Sequence, residues 1–356
     1  MDEELPGRWP ARLRPDRLAA LAFETPYLAG DVTAIADRLI EFRAALPWAK
    51  PHYPVRVNPA PAVISALGGL DMGFQAGSPA ELKILMEQGV EASRVLLGNT
   101  VRSGPHLRSA FAAGVWRLAF ESEHELRRIA EFAPGSCVYL QLSLGREAVR
   151  PIGADPDQAC ALLTKAAELG LVPYGLSVQL EEVADLAVVG QAMSDLTELG
   201  LGLAMLNLGS GFTDPPKAGV PASMVGIGTA IGEALDELLP YRPADLICEP
   251  GRYLVADSSV LVSTVLERYR RNGVDWLVLD AGIHQGLAGG WALPLTSSAS
   301  SPTPALFSLA GPTADPDDVI AGAIGLPENI QPGDLVLFGA LGAAYAQAAR
   351  PRNLFV

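Results

Sequence analysis

Cysteine, histidine and basic residues are all scarce in this 356-residue chain, and each shortage narrows what it can be. The cysteines are Cys137, Cys160 and Cys248, an odd number far apart, which suggests neither a disulfide framework nor a zinc site. The histidines (His52, His106, His124 and His284) are equally scattered, so no metal site is expected. With 26 Lys+Arg against 40 Asp+Glu, the formal net charge is −14. A protein that tracks phosphates wants a basic footprint, so a nucleic-acid partner is not expected. No uninterrupted apolar run reaches the roughly 18 residues that would suggest a membrane span. The acidic start, MDEELPGRWP, lacks the apolar stretch of a secretory signal. The expectation is a cytoplasmic protein with no membrane partner.

What is present is enough apolar residue, 49% against 19% charged with a mean hydropathy of +0.24, to bury a sizeable core and exclude disorder. From residue 50 onward, short β-rich runs alternate with amphipathic stretches. The strand candidates are 53–58, 72–77, 94–99, 116–122, 137–144, 174–180, 203–209 and 244–249. They read as continuous apolar runs, as parallel strands covered on both faces do. Between them, SPAELKILMEQGV (78–90) and SEHELRRIAEFA (122–133) each place a Glu three residues after a Ser, the signature of a helix start. A further helix is predicted over 31–47. Eight β–α repeats in about 200 residues suit a (β/α)8 TIM barrel, with an open doubly wound sheet as the competing reading. After residue 258 the pattern changes to strands with turn-rich connections and little helix. The expected division is therefore 1–258, an N-terminal segment and barrel, and 259–356, a mostly β domain.

A TIM barrel works at the C-terminal ends of its strands. Those ends carry Arg56, Asn58, Gln75, Ser78, Asn99, Glu121, Gln141, Gln179, Asn207 and Glu249. The seventh strand runs into Gly209-Ser210-Gly211 and the eighth into Glu249-Pro250-Gly251-Arg252. Glycines at a strand–helix junction leave backbone N–H groups free to cradle an anion, although a lone GSG is more often a tight turn needing positive φ.

The segments YPVRVNPAPAVISAL, GFQAGSPAEL, RVLLGNTVRS, AFESEHEL, LNLGSGF, CEPGRYLVA, LDAGIHQG, GPTADPDDVI and LVLFGALGAAY occur in this order over nearly the whole chain. Together they resemble the ornithine/diaminopimelate/arginine decarboxylase family, pyridoxal-phosphate lyases of the alanine-racemase-like fold type. The resemblance implies a TIM barrel holding the cofactor, a C-terminal β domain, and a homodimer with two composite active sites. It implies that Gly209, Ser210, Gly211, Gly251 and Arg252 bind phosphate, with Tyr345 nearby. It also implies that Glu249 pairs with the pyridine nitrogen and that Asp315 is supplied across the dimer.

The chain departs from the family pattern at several of these positions. Arg56 stands where the family has its Schiff-base lysine, and a guanidinium has no amine that condenses with an aldehyde. Gln75 replaces an aspartate, Gln141 an arginine, Gln179 the ring-stacking histidine, Asn207 an aspartate and Ala314 a cysteine. On this count the expectation is that pyridoxal phosphate has been lost and no cofactor is covalently bound.

Each departure admits two readings. Arg56 either clamps a ligand carboxylate or phosphate, or makes a salt bridge to Glu249. The three glutamines either line a site for a polar ligand or satisfy polar groups left behind. His284 is the histidine placed to act as acid or base near neutral pH, or is merely solvated. Three functions follow from these alternatives. The first is a pyridoxal-phosphate-independent enzyme on an amino-acid-derived or phosphorylated metabolite, with Arg56, Glu249, His284, Asp315 and Tyr345 at work. The second is an inactive relative that pairs with an active paralogue as a heterodimer. The third is a pyridoxal-phosphate-dependent decarboxylase using Lys83 or Lys165.

Overall fold

The computed structural model describes residues 13, 15–21, 23–145, 152–210, 223–285, 287, 294–297, 299–339, 342–343 and 352–355. The chain divides into two compact units, one of Arg38–Tyr253 and one of Met1–Asp37 with Leu254–Val356. The first elements are α1 (Pro15–Ala20), β1 (Tyr27–Gly30) and α2 (Val32–Ala45).

Eight parallel strands follow: β2 (Lys50–Pro54), β3 (Gly73–Ala76), β4 (Val95–Leu97), β5 (Arg117–Phe120), β6 (Cys137–Gln141), β7 (Val172–Ser177), β8 (Met205–Asn207) and β9 (Asp245–Cys248). The last pairs back onto the first through Lys50↔Ile247 and Pro51↔Cys248, which closes the barrel and excludes an open sheet. One helix lies between each consecutive pair of strands: α3 (Pro61–Gly69), α4 (Pro79–Glu87), α5 (Gly104–Ala112), α6 (Glu123–Phe132), α7 (Ala159–Glu168), α8 (Leu186–Glu198) and α9 (Met224–Leu238). The short α10 (Gly251–Val255) comes directly after β9.

The serine signals work as their spacing requires. Ser78 Oγ accepts from Glu81 N (3.2 Å) at the start of α4, while the Glu81 carboxylate takes Gly77 N (2.8 Å). Ser122 Oγ does the same for Glu125 N at α6. Such caps satisfy donors that a helix's first turn leaves unpaired and contribute about 1 kcal/mol each. All eight strands are shorter than the apolar runs that announced them. The first ends at Pro54, and Val55–Val57 form a single 3₁₀ turn, so Arg56 sits on a turn rather than on a strand. Inside the barrel, Leu96, Ala119, Tyr139, Met205 and Ile247 from five strands pack together as a dry layer.

The second unit is a mostly β structure of β10 (Ser259–Arg271), β11 (Val274–Leu279), β12 (Pro294–Ser297), β13 (Pro304–Ala310), β14 (Val319–Pro327), β15 (Leu335–Phe338) and β16 (Arg352–Phe355). Its main path runs β12-β15-β10-β11-β13-β14, with a shift between Val265 and Glu267 where β10 passes from β15 to β11. Strand β1 pairs antiparallel with β10 (Tyr27↔Val262) and parallel with β16. The N-terminal segment, which the sequence grouped with the barrel in 1–258, therefore contributes a strand to the other unit. Leu261, Val265, Leu277, Leu279, Phe307 and Phe338 lie at the heart of that unit's core.

Candidate active site at the barrel mouth

The strand ends bring four of the expected residues into one hydrogen-bonded chain. Arg56, on the turn after β2, donates through Nη1 to Gln75 Oε1 on β3. Gln75 Nε2 donates to Glu249 Oε1 (3.2 Å), and Asn207 Nδ2, at the end of β8, donates to the same oxygen (2.7 Å). Gln75, Asn207 and Glu249 are buried, whereas Arg56 is exposed. Of the two readings of Arg56, the direct salt bridge to Glu249 is absent among the described residues, and a relay with an amide standing between the two charges takes its place. Burial pushes the Glu249 carboxyl up, and the Arg56 charge and the Asn207 bond pull it part of the way back. Its second oxygen, Oε2, is buried and has no hydrogen-bond partner among the described residues.

Room for the relay is provided by a glycine. A Cβ on Gly98, just beyond β4, would lie 2.2 Å from Gln75 Nε2 and 2.6 Å from its Cγ, so only glycine lets Gln75 lie where it does. Nothing in the local sequence ties Gly98 to Gln75, and sequence reasoning missed this pairing.

The other two glutamines do different work. Gln179 Oε1 accepts from Ser210 N (3.3 Å) and packs where a Cβ on Gly209 would be. Gln141 Nε2 bonds the neighbouring Leu142 carbonyl (3.2 Å). They do not form one amide-lined surface with Gln75. The described part of the expected anion cradle is likewise bonded internally. Gly209 adopts positive φ (67°) and donates to Asn207 Oδ1 (3.0 Å), Ser210 N goes to Gln179, and Gly251 N goes to Glu249 O (2.7 Å). Arg252 is exposed in α10. Gly211 and Tyr345 lie outside the described residues.

His284 and Asp315 meet in the second unit, with His284 Nε2 3.2 Å from Asp315 Oδ2 and both exposed. The Asp317 backbone N–H, and then His284, hold the Asp315 carboxyl below the usual range. The buried Asp318 joins their two loops by accepting from Ile283 N (2.9 Å) and from Thr313 N (3.2 Å) and Oγ1 (2.6 Å). Lys83 and Lys165 are helix residues paired with Glu87 (3.7 Å) and Glu168 (2.8 Å), away from the strand ends. No cluster of three potential metal ligands occurs among the described residues.

Comparison with known proteins gives this mouth its context. The chain is 29% identical over 350 residues to a lysine/ornithine decarboxylase of Selenomonas ruminantium, covering 93% of this chain and 88% of that protein. It is 27% identical over 366 residues to antizyme inhibitor 2 of Xenopus laevis, covering 92% and 79%. The solved structure of SrLDC in complex with pyridoxal phosphate (PLP) and cadaverine superposes with a TM-score of 0.86 at 26% identity, covering 97% of this chain and 94% of that one.

These findings correct the expectation that the cofactor is lost. Residues 32–256 match the profile described as "Pyridoxal-dependent decarboxylase, pyridoxal binding domain", and SrLDC is similar over nearly the full length and holds PLP. Counting substitutions one at a time overstated the damage. Where the resemblance implies the ring, the residues present fit the group, because Glu249 Oε2 is a buried acceptor with no donor among the described residues. Relatives aligned across the chain and a profile spanning more than half of it lead to one statement: this chain belongs to the pyridoxal-dependent decarboxylase family.

Proposed function

We propose that this chain binds pyridoxal phosphate at the mouth of its barrel and acts there on an amino acid of the kind its decarboxylase relatives are named for, lysine or ornithine. The observation that carries this reading is the buried Glu249, with Oε1 held by Gln75 and Asn207 and Oε2 without a donor among the described residues. Such an oxygen is positioned to accept the ring N–H of the cofactor, a charge-assisted bond of about 1.5–3 kcal/mol. Asn207 keeps its carboxamide oriented by accepting from Gly209 N, which ties the Glu249 anchor to the glycine turn. Bound there, PLP supplies an electron sink for bonds at the α-carbon of an amino acid. Arg56 supplies a fixed positive charge at the rim, and no proton step is assigned to it, because a guanidinium stays protonated.

A second reading, a regulatory relative that pairs with an active paralogue, is favoured by one residue. Arg56 offers no amine to the aldehyde, and one similar protein is named for inhibition rather than catalysis. The two readings separate on two measurements. Titrating PLP into the protein is expected to give a saturable absorbance change, with CO2 released from L-lysine or L-ornithine. No spectral change and no shift in melting temperature would remove the first reading. For assembly we propose a homodimer, with a light-scattering mass near twice the chain's 37.4 kDa. The regulatory reading expects a mixed dimer with the paralogue instead.

A further inference from the structure

We propose that Arg56 holds the carboxylate of the amino-acid ligand, in an orientation set by Gln75. The inference rests on the reading that an amino acid enters the barrel mouth, and it names the group that recognises it.

The argument starts from how the guanidinium is tied. Its Nη1 donates to Gln75 Oε1, while Nε and Nη2 have no partner among the described residues. A guanidinium presents its N–H groups in a planar fork, and a carboxylate matches two of them at once. Arg102, Arg127, Arg242 and Arg270 each have a carboxylate partner, at 3.1, 2.6, 2.5 and 2.9 Å. Arg56 has none among the described residues, although it lies one amide away from Glu249.

That separation is imposed by structure. Gln75 Nε2 must donate to the Glu249 carboxylate, so Oε1 is left to turn toward Arg56. The amide already fills the space a side chain at residue 98 would need, so its place between the two charges depends on Gly98. Glu249 Oε1 is in turn saturated by Gln75 and Asn207. The guanidinium is thus held by one corner, paired with no acid among the described residues, and exposed at the strand ends, where the fold places its chemistry. An anionic group is the partner it lacks. The α-carboxylate is the one anion common to lysine and ornithine and absent from their diamines.

The test uses pairs that differ by that group alone: L-lysine against cadaverine, and L-ornithine against putrescine. Binding is measured by calorimetry without PLP, so that no turnover consumes the ligand, and the recovered ligand is checked to be intact. Wild-type protein is expected to bind each amino acid at least about tenfold tighter than its diamine, the scale of one charge-assisted hydrogen bond. Arg56→Gln is expected to bring each pair within about twofold while the melting temperature and the PLP titration stay as in wild type. Gln75→Leu, which frees the guanidinium from its tether, is expected to give an intermediate ratio. Equal affinities in wild type, no binding of either ligand, or an unchanged ratio in Arg56→Gln would overturn the proposal. Failure of PLP to bind would instead remove the reading above, since the ratio measured without PLP still decides this one.

Discussion

The two ends of the barrel use their polar groups in opposite ways. At the N-terminal ends of the strands the charges meet directly. Lys50 Nζ lies 2.5 Å from Asp245 Oδ1, and Tyr174 OH donates to Oδ2 of the same carboxylate (2.6 Å). Arg117 bonds the Ser93 carbonyl (2.8 Å) and lies over the Trp116 ring at 4.8 Å. At the C-terminal ends, Arg56 and Glu249 are kept apart by the Gln75 amide, and each retains an unused edge. Direct pairing satisfies Lys50 and Asp245 by one another, although the neighbouring Arg117 Nε is buried with no partner among the described residues. Separation by a neutral spacer costs that pairing and leaves two opposite charges available to an incoming molecule. In TIM barrels the first end is read for stability and the second for chemistry, and here the two opposite charges that meet at the first are held apart at the second.

The largest effect that would sharpen this contrast is at the N-terminal end. His52 is buried there, its ring packed where a Cβ on Gly73 would lie, with Nδ1 3.2 Å from the Lys50 carbonyl. Burial, and then the Arg117 charge, push its pKa down from 6.5 to about 4. A histidine with a lowered folded pKa favours the unfolded chain once protonated. Its contribution is full above pH 6.5 and falls as the pH drops toward 4, by about 3 kcal/mol in all. Urea denaturation at pH 7 and pH 4.5 should show most of that loss in wild type and a much flatter dependence in His52→Gln. Ligand affinity at pH 7 should be the same in both proteins.

The next effect lies at the open end. Glu249→Gln replaces the acceptor at Oε2 by an amide and is expected to weaken PLP binding by roughly ten- to a hundredfold. Urea denaturation without PLP should show little change, because burial of the carboxylate is unfavourable in the first place. A large loss of stability with unchanged PLP affinity would mean that this end is built like the other. Smallest is Asp245→Asn, which removes the anion from Lys50 and Tyr174. Because Lys50 is more than half exposed, about 1 kcal/mol of stability should go, with no change in PLP titration. Burial raises the Asp245 carboxyl, but the Lys50 and Tyr174 bonds outweigh it and hold the group below the usual range. The depressed value means that this stabilisation is present at neutral pH and is lost as the pH falls below about 4.

Much of the frame was legible in the sequence because its signals are local. Apolar runs marked all eight barrel strands, and Ser78 and Ser122 marked two helix starts that depend only on residues three positions away. The strand ends also pointed to the residues that meet at the mouth. What they do to one another was not legible. A direct Arg56–Glu249 pair was a reasonable expectation for two opposite charges, but the bridge by Gln75 depends on a side-chain bond across 174 residues and on the space at Gly98. The membership of Tyr27–Gly30 in the second unit was hidden for the same reason, since its partner Val262 is 235 residues away. The cofactor was misjudged differently. Each replaced residue was counted as a loss, although Gln75 and Asn207 both hold Glu249, the residue for which the resemblance implies contact with the cofactor ring.

The amide between Arg56 and Glu249 also governs how protons travel. Neither the carboxamide of Gln75 nor that of Asn207 takes up or releases a proton in water at ordinary pH, and the guanidinium does not give one up. A hydrogen ion therefore cannot pass along the relay from the rim to the buried carboxylate, although the hydrogen bonds are continuous. The relay transmits orientation and field but insulates against proton conduction. The Arg56 charge and the Asn207 bond therefore bias the ionisation of Glu249 without delivering a proton to it.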